Sequence, residues 1–417
     1  MRRTFSAMLT AVTVCMVCSA TGQAAPIFLD YGDFDSRLGE LAASAGIAAF
    51  TSSEIDTIKA NIKSDLDAIY ADFDATFVET DPGGVAVIDF GLTAAPGALG
   101  EADAIDFGNQ VAADLARVFS ANFDFIIESA EPRATQIDEL SAALAGTAAH
   151  ELAHNLGLRH HDAYGDLTYT GGDIATGGAQ NAYIIATGST GLNETGRETL
   201  REFTDHSKVK LSFAAGFNAV LPTTITEVAD VASTIAAATA AAAVTLDPLT
   251  AVARSAVNIL GEISTSGDSD IFRLELTAGT TLTADVNNDF GSGFPSGFSN
   301  GNTELRIYNP SGVMVASSLR SGYSASTYGN TPASGDGFDP AVYNVPIDTT
   351  GNWFVQVLGE SGVTGDYQLL LHADTLTSTT VVPEPSSMAL LGIGLMSAGA
   401  WRRRRQRKEQ NQTDSAA

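Results

Sequence analysis

Between residues 150 and 160 the chain reads His150-Glu151-Leu152-Ala153-His154-Asn155-Leu156-Gly157-Leu158-Arg159-His160, and this spacing constrains the fold more than any other feature. Histidines four apart on a helix point the same way, so His150 and His154 can grip one metal ion, with Glu151 carried along the same face. The segment is therefore expected to be helical up to about Leu156. Gly157 can adopt the left-handed conformation that stops a helix and turns the chain back, which brings His160 toward the metal from outside the helix. Three protein ligands leave one coordination position open. An open position distinguishes a catalytic zinc from a closed structural one: a water bound there has its pKa lowered to about 7, and a neighbouring carboxylate can take its proton. A lone histidine on an apolar face is ordinarily a core residue, but His150, His154, His160 and His161 are four of the chain's 6 histidines.

The pattern H-E-x-x-H-x-x-G-x-x-H resembles that of the metzincin metalloproteases, and "HELAHNLGLRHHD" is most similar to their reprolysin and matrixin branches. The resemblance covers roughly residues 27 to 213. It implies an α/β (α+β) zinc protease domain, with Zn2+ held by His150, His154 and His160 and a protein or peptide as substrate. It further implies zinc metalloendopeptidase activity, in which Glu151 is general base toward a zinc-activated water and later proton donor to the leaving amine. Metzincins carry a methionine in a tight turn beneath the metal, whereas this chain has no Met between Met16 and Met314. The candidate turn Tyr183 to Gly188 puts Ile185 at that place, an apolar residue of similar volume. In reprolysins an Asp follows the third histidine directly; here His161 precedes Asp162. A second reading stays open: a non-catalytic, zinc-stabilised extracellular matrix or adhesion protein whose C-terminal module does the binding.

Both ends read as address labels. Arg2 and Arg3, an apolar run from Ala7 to Ala20 and small residues at Gly22, Ala24 and Ala25 make residues 1–24 a signal peptide, with Sec and twin-arginine export both open. Cys15 and Cys18, the only cysteines, leave with it, so the exported chain is expected to lack disulfides. At the other end Val382-Pro383-Glu384-Pro385, an apolar run from Met388 to Trp401 and Arg402 to Arg405 resemble a PEP-CTERM sorting signal. It spans 382–408, followed by a polar tail at 409–417. The resemblance implies a transient inner-membrane, transmembrane anchor that an exosortase-type enzyme removes near Pro383. The protein is then released to the cell envelope, the surface or the exterior, where an extracellular polysaccharide matrix is a candidate partner. The apolar run is short for a stable span, and an ordinary tail anchor is the alternative. A net charge of −27 repels phosphate backbones and argues against nucleic acid as a partner.

Between the ends the chain is expected to be multidomain. Residues 25–213 form the catalytic domain, 214–226 a linker, 227–373 an all-β sandwich and 374–381 a second linker. In the first domain Ile55, Ile58, Ile62, Leu66 and Ile69 mark a helix with one apolar stripe, and strands are expected at Ala75 to Glu79 and Val85 to Phe90. A helix is expected over Asn109 to Phe119. Phe123 to Glu128 reads as a strand, a candidate edge for pairing with substrate. The metal-bearing helix should start near Ala134. His206 reads as a surface or capping residue, with a metal role the lesser alternative because three histidines already fill the site. The Ala-rich run from Ala229 to Val244 favours a helix.

In the second domain the phrases "LTAGTTLTADV", "LRIYNPSG", "GNWFVQV" and "GDYQLLL" resemble the bacterial pre-peptidase C-terminal domain, an appendage of secreted proteases. Asp268, Asp270, Asp285 and Asp289 lie in oxygen-rich turns that could gather around Ca2+, although acidic turns are common in any β-sandwich. The change of period between the two halves leads to the expectation that residues 25–213 fold without the sandwich.

Overall fold

A five-stranded sheet seats the helix that carries His150 and His154. In the computed structural model, which describes residues 26–93, 97–160, 183–186, 194–227, 231–287, 303–318, 340–359 and 364–375, this sheet comprises β1 (Pro26–Asp30), β2 (Thr76–Val78), β3 (Val87–Asp89), β4 (Gly100–Ala102) and β5 (Leu115–Val118). The strand order is β2-β1-β3-β5-β4. The first three pairings are parallel and β4 runs antiparallel along β5, closing one edge. Residues 1–24, His161, Asp162, Asp289 and 382–417 lie outside the described residues.

Three helices pack with this sheet: α1 (Phe34–Ser44), α2 (Ser52–Ile69) and α3 (Arg133–Asn155). α2 starts at a capping box, in which Thr51 Oγ1 accepts from the Glu54 amide and the Glu54 carboxylate accepts from the Thr51 amide. Its apolar stripe, Ile55, Ile58, Ile62, Leu66 and Ile69, is buried as the spacing predicts. α3 packs against α2, β4 and β5. Ala143, Ala145, Ala148, Ala149 and Ala153 of α3 are buried, and such small side chains allow close approach of neighbouring elements. Tyr70 Oη, fully buried, donates to the Ala149 carbonyl at 3.0 Å and ties the end of α2 to the middle of α3.

Two local expectations are corrected. Residues 115–118 are strand β5 and not the end of a helix, because burial there alternates, with Ala116 and Val118 inward. The expected strand at Phe123 to Glu128 is a 3-10 helix, Ser120–Ile126, whose buried Ser120, Phe123 and Ile126 recur every third residue, the period of that helix.

The second half is β-rich, as expected. One sheet contains β6 (Thr224–Thr226), β7 (Asp247–Pro248), β8 (Arg254–Ile263), β10 (Thr281–Asn287), β13 (Ala341–Pro346) and β15 (Gly365–Asp374). The other has the order β12 (Met314–Ser318), β11 (Thr303–Tyr308), β14 (Gly351–Gly359) and β9 (Ser269–Leu276). The two sheets share one apolar core, with Val257, Leu282, Leu369 and Leu371 from the first and Leu274, Leu305, Trp353 and Val355 from the second. The Ala-rich run supplies only a short helix, Ile235–Ala240.

The halves meet through a helix at Asp205–Leu211. Phe107, Val209 and Phe213 pack with Ala256 of β8 and Leu370 of β15. Beside them lies a buried polar group. Lys210 Nζ is 3.0 Å from Asp285 Oδ2, His206 Nε2 is 3.3 Å from the same oxygen, and His206 Nδ1 is 3.0 Å from His372 Nε2. His206 is thus an interior residue and not a surface one. Among the described residues no helix is long and apolar enough to cross a membrane, and the expectation of a transmembrane anchor is withdrawn. The run that prompted it, residues 388–401, lies outside the described residues.

Candidate metal centre

The end of α3 builds the centre from its own backbone. Leu156 caps the helix and Gly157 follows at φ +96°, so the Gly157 amide donates to the His154 carbonyl at 2.8 Å and the Leu158 amide to the Ala153 carbonyl at 2.9 Å. This is the paired bonding of a Schellman stop. The same turn aims the Leu158 carbonyl at His154, whose Nδ1 donates to it at 2.8 Å. His150 Nδ1 likewise donates to the Ile184 carbonyl at 2.8 Å. A carbonyl oxygen only accepts, so in both rings Nδ1 carries the proton and Nε2 presents a bare lone pair.

Those lone pairs converge. The Nε2 atoms of His150 and His154 are 3.1 Å apart, those of His150 and His160 3.2 Å, and those of His154 and His160 3.3 Å. Tetrahedral zinc with nitrogen ligands at about 2.0–2.1 Å places those nitrogens about 3.3–3.4 Å apart, so the near-equilateral triangle fits the ion. Backbone carbonyls holding Nδ1 are also the usual outer partners of metal-bound histidine. Burial, and then the neighbouring His154 and His160, hold His150 well below the usual imidazole pKa, which keeps it in the neutral form that ligates. Among the described residues these three histidines are the group that could hold a metal ion.

Two further contacts fix the site. A Cβ on Gly157 would lie 2.4 Å from Phe107 Cα, and the loop around Phe107 also donates from the Asp106 amide to the His154 carbonyl at 3.3 Å. Glu151 is buried beneath β4, so closely that a Cβ on Gly100 would be 2.5 Å from its Oε1. Burial, and then the charge of Glu101, push the Glu151 carboxyl up to about 8. Ile185 is fully buried in the core of the α/β half. The carbonyls of Leu158 and Ile184, Phe107 and the contact with Gly100 escaped sequence reasoning, since a backbone acceptor or a close approach leaves no residue-type signature.

The three described aspartates of the calcium expectation lie apart, and Asp289 is outside the described residues. Asp270 accepts from Tyr367 Oη at 2.7 Å on β9, in one sheet, while Asp285 faces Lys210 and His206 on β10, in the other. Asp268 accepts from the amide and hydroxyl of Ser264, both at 2.8 Å. Donors already engage each described carboxylate, and no Ca2+ site is indicated among the described residues.

Residues 381–405 match the family described as the PEP-CTERM protein-sorting motif. No curated protein matches the chain. Among solved structures, the chain is similar to the periplasmic lysozyme inhibitor PliG, an inhibitor of g-type lysozyme, from Aeromonas hydrophila. That likeness has 15% identity and a TM-score of 0.17, covers 28% of this chain and 86% of that one, and carries no argument about fold or function. The protein thus joins a three-histidine cluster able to coordinate a metal to a C-terminal sorting motif of the PEP-CTERM type.

Proposed function

We propose that the α/β half of this chain is an exported zinc-binding domain and that, as its finer function, it hydrolyses peptide bonds in a protein or peptide substrate. The convergence of three Nε2 atoms within 3.1–3.3 Å carries the metal half of this reading. Zn2+, when bound, would polarise a water and the scissile carbonyl and stabilise the oxyanion. Glu151, next to His150 in sequence, would take the proton from that water and pass it to the leaving amine, its raised carboxyl being brought down by the positive charge of the ion when bound. β4, the antiparallel edge strand above Glu151, is where an extended peptide would pair main chain to main chain. Ile185 serves as the apolar floor of the turn beneath the metal. The sorting motif supports export and processing by an exosortase-type enzyme, with delivery to the envelope or the extracellular polysaccharide matrix. The β-rich half, in this reading, is a sandwich module of the pre-peptidase C-terminal kind.

A second reading has its own observation. Glu151 is only 8% exposed and tightly covered by β4, as a packed core residue would be. A non-catalytic, metal-stabilised matrix or adhesion protein needs the histidines and not the carboxylate. Glu151→Gln separates the two readings, because the amide keeps the size and loses the ability to accept a proton. The protease reading predicts normal zinc content and melting temperature, with peptide-library cleavage lowered by about 10² to 10⁴. A zinc-loaded, folded wild type that cleaves nothing across the library would give the function to the second reading.

A further inference from the structure

We propose that Arg201 is a positioning residue of the metal centre, holding the carbonyl that holds His150. The side chain is 4% exposed, and its Nη1 donates to the Ile184 carbonyl at 3.2 Å and to the Tyr183 carbonyl at 3.4 Å. The Ile184 carbonyl accepts at the same time from His150 Nδ1 at 2.8 Å. One oxygen thus joins the guanidinium to the first ligand. The chain beside Arg201 grips the same turn, since the Ile184 amide donates to the Glu202 carbonyl at 2.9 Å.

α3 is shaped for this contact. Gly146 lies four residues before His150, and a Cβ there would be 2.6 Å from Arg201 Nη2, so the glycine opens the space in which the guanidinium sits. Glycine inside a helix is otherwise unfavourable, and a buried cation is costly. Both oddities of the sequence are explained by one device. A guanidinium presents rigid, coplanar donors that can serve two successive carbonyls, whereas an ammonium on a flexible stem is a point charge. Arg201 therefore fixes the orientation of the turn at Tyr183–Ala186, and through Ile184 it fixes the ring plane and tautomer of His150. Partners of this outer kind typically contribute 10- to 100-fold to metal affinity.

The inference rests on the metal half of the proposed function and not on peptide hydrolysis. It is tested on the full chain with Arg201→Met, Arg201→Lys, Gly146→Ala and the Gly146→Ala/Arg201→Met double variant. Zn2+ affinity is read by competition with a chromophoric chelator, and ligand geometry by the visible absorption of the Co2+ form. Arg201→Met should weaken zinc about 10- to 100-fold and alter the cobalt spectrum, with Arg201→Lys recovering only part of the loss. Gly146→Ala should weaken zinc when Arg201 is present and add nothing when it is absent. Wild-type zinc affinity and cobalt spectrum in a folded Arg201→Met chain would overturn the assignment. Should that variant fail to fold, Gly146→Ala, which favours the helix by propensity, decides alone: wild-type affinity there overturns the proposal. A wild-type chain that takes up neither ion would overturn the metal centre itself, and Arg201's role with it.

Discussion

Gly157 is the residue on which the third ligand depends. Its φ of +96° is one that other residues adopt at a cost of roughly 1–2 kcal/mol, and a Cβ would also collide with the Phe107 backbone. Gly157→Ala is expected to destabilise the chain by about 2 kcal/mol or more, because relief of either problem moves the chain leading to His160. The same variant should bind Zn2+ more weakly, as His160→Ala does. Denaturant unfolding in the presence and absence of zinc measures both effects. An alanine variant with unchanged unfolding and zinc affinity would show that the turn has slack the close contact does not suggest.

At the scale of elements, α2 and α3 are joined at their N-termini by Arg133, which donates to the Glu54 carboxylate at 2.9 Å and lies 3.8 Å from the Phe50 ring centroid. The hydrogen bond from Arg133 is the first cause that lowers the Glu54 carboxyl from 4.5 to about 2. A carboxyl lowered on folding stabilises the native state above its unfolded value, and that contribution is lost as pH falls from about 4.5 to about 2. Arg133→Met should therefore cost on the order of 0.5–1 kcal/mol near neutrality, and its stability should converge on wild type as the pH approaches 2. Urea midpoints across that range check the expectation, and a constant gap at every pH would contradict it. The helices around the histidine cluster were legible in the sequence because they carry strong period-3.6 signals: the isoleucine stripe of α2 and the histidine pair of α3. β4 was not, since Gly100, Glu101 and Ala102 include no β-branched or aromatic residue, and β5 was not, since Leu115, Ala116 and Arg117 are strong helix formers. The 3-10 helix at Ser120–Ile126 carries aromatic and β-branched residues that imitate a strand. Arg201 left no trace at all, because what makes it informative is which carbonyls it reaches.

The whole molecule is expected to be more interdependent than the change of sequence period suggests. Lys210 and His206 come from the α/β half, Asp285 and His372 from the β-rich half, and all four are buried where the halves meet. Removing one partner of a buried ion pair typically costs 3–5 kcal/mol, so Asp285→Ala should lower stability by about that amount and residues 25–213 alone should be far less stable than the full chain. A fragment as stable as the full chain would restore the sequence expectation of independence. The cluster also gives a pH signature. Burial, followed by His206 and Arg254, holds His372 well below its ordinary value of 6.5, so the unfolded chain binds a proton there that the folded chain does not. Stability should therefore fall as pH drops through about 6.5, and His372→Gln should flatten that slope. These are properties of the scaffold; the proposed function stands on the metal. Its most direct test is metal content and zinc-edge X-ray absorption on the purified full chain, beside His150→Ala and His160→Ala. One zinc per wild-type chain, three nitrogen ligands at about 2.0–2.1 Å and loss of that signature in both variants are expected. Failure of the wild-type chain to take up zinc, or the same signature in the absence of either histidine, would contradict that function.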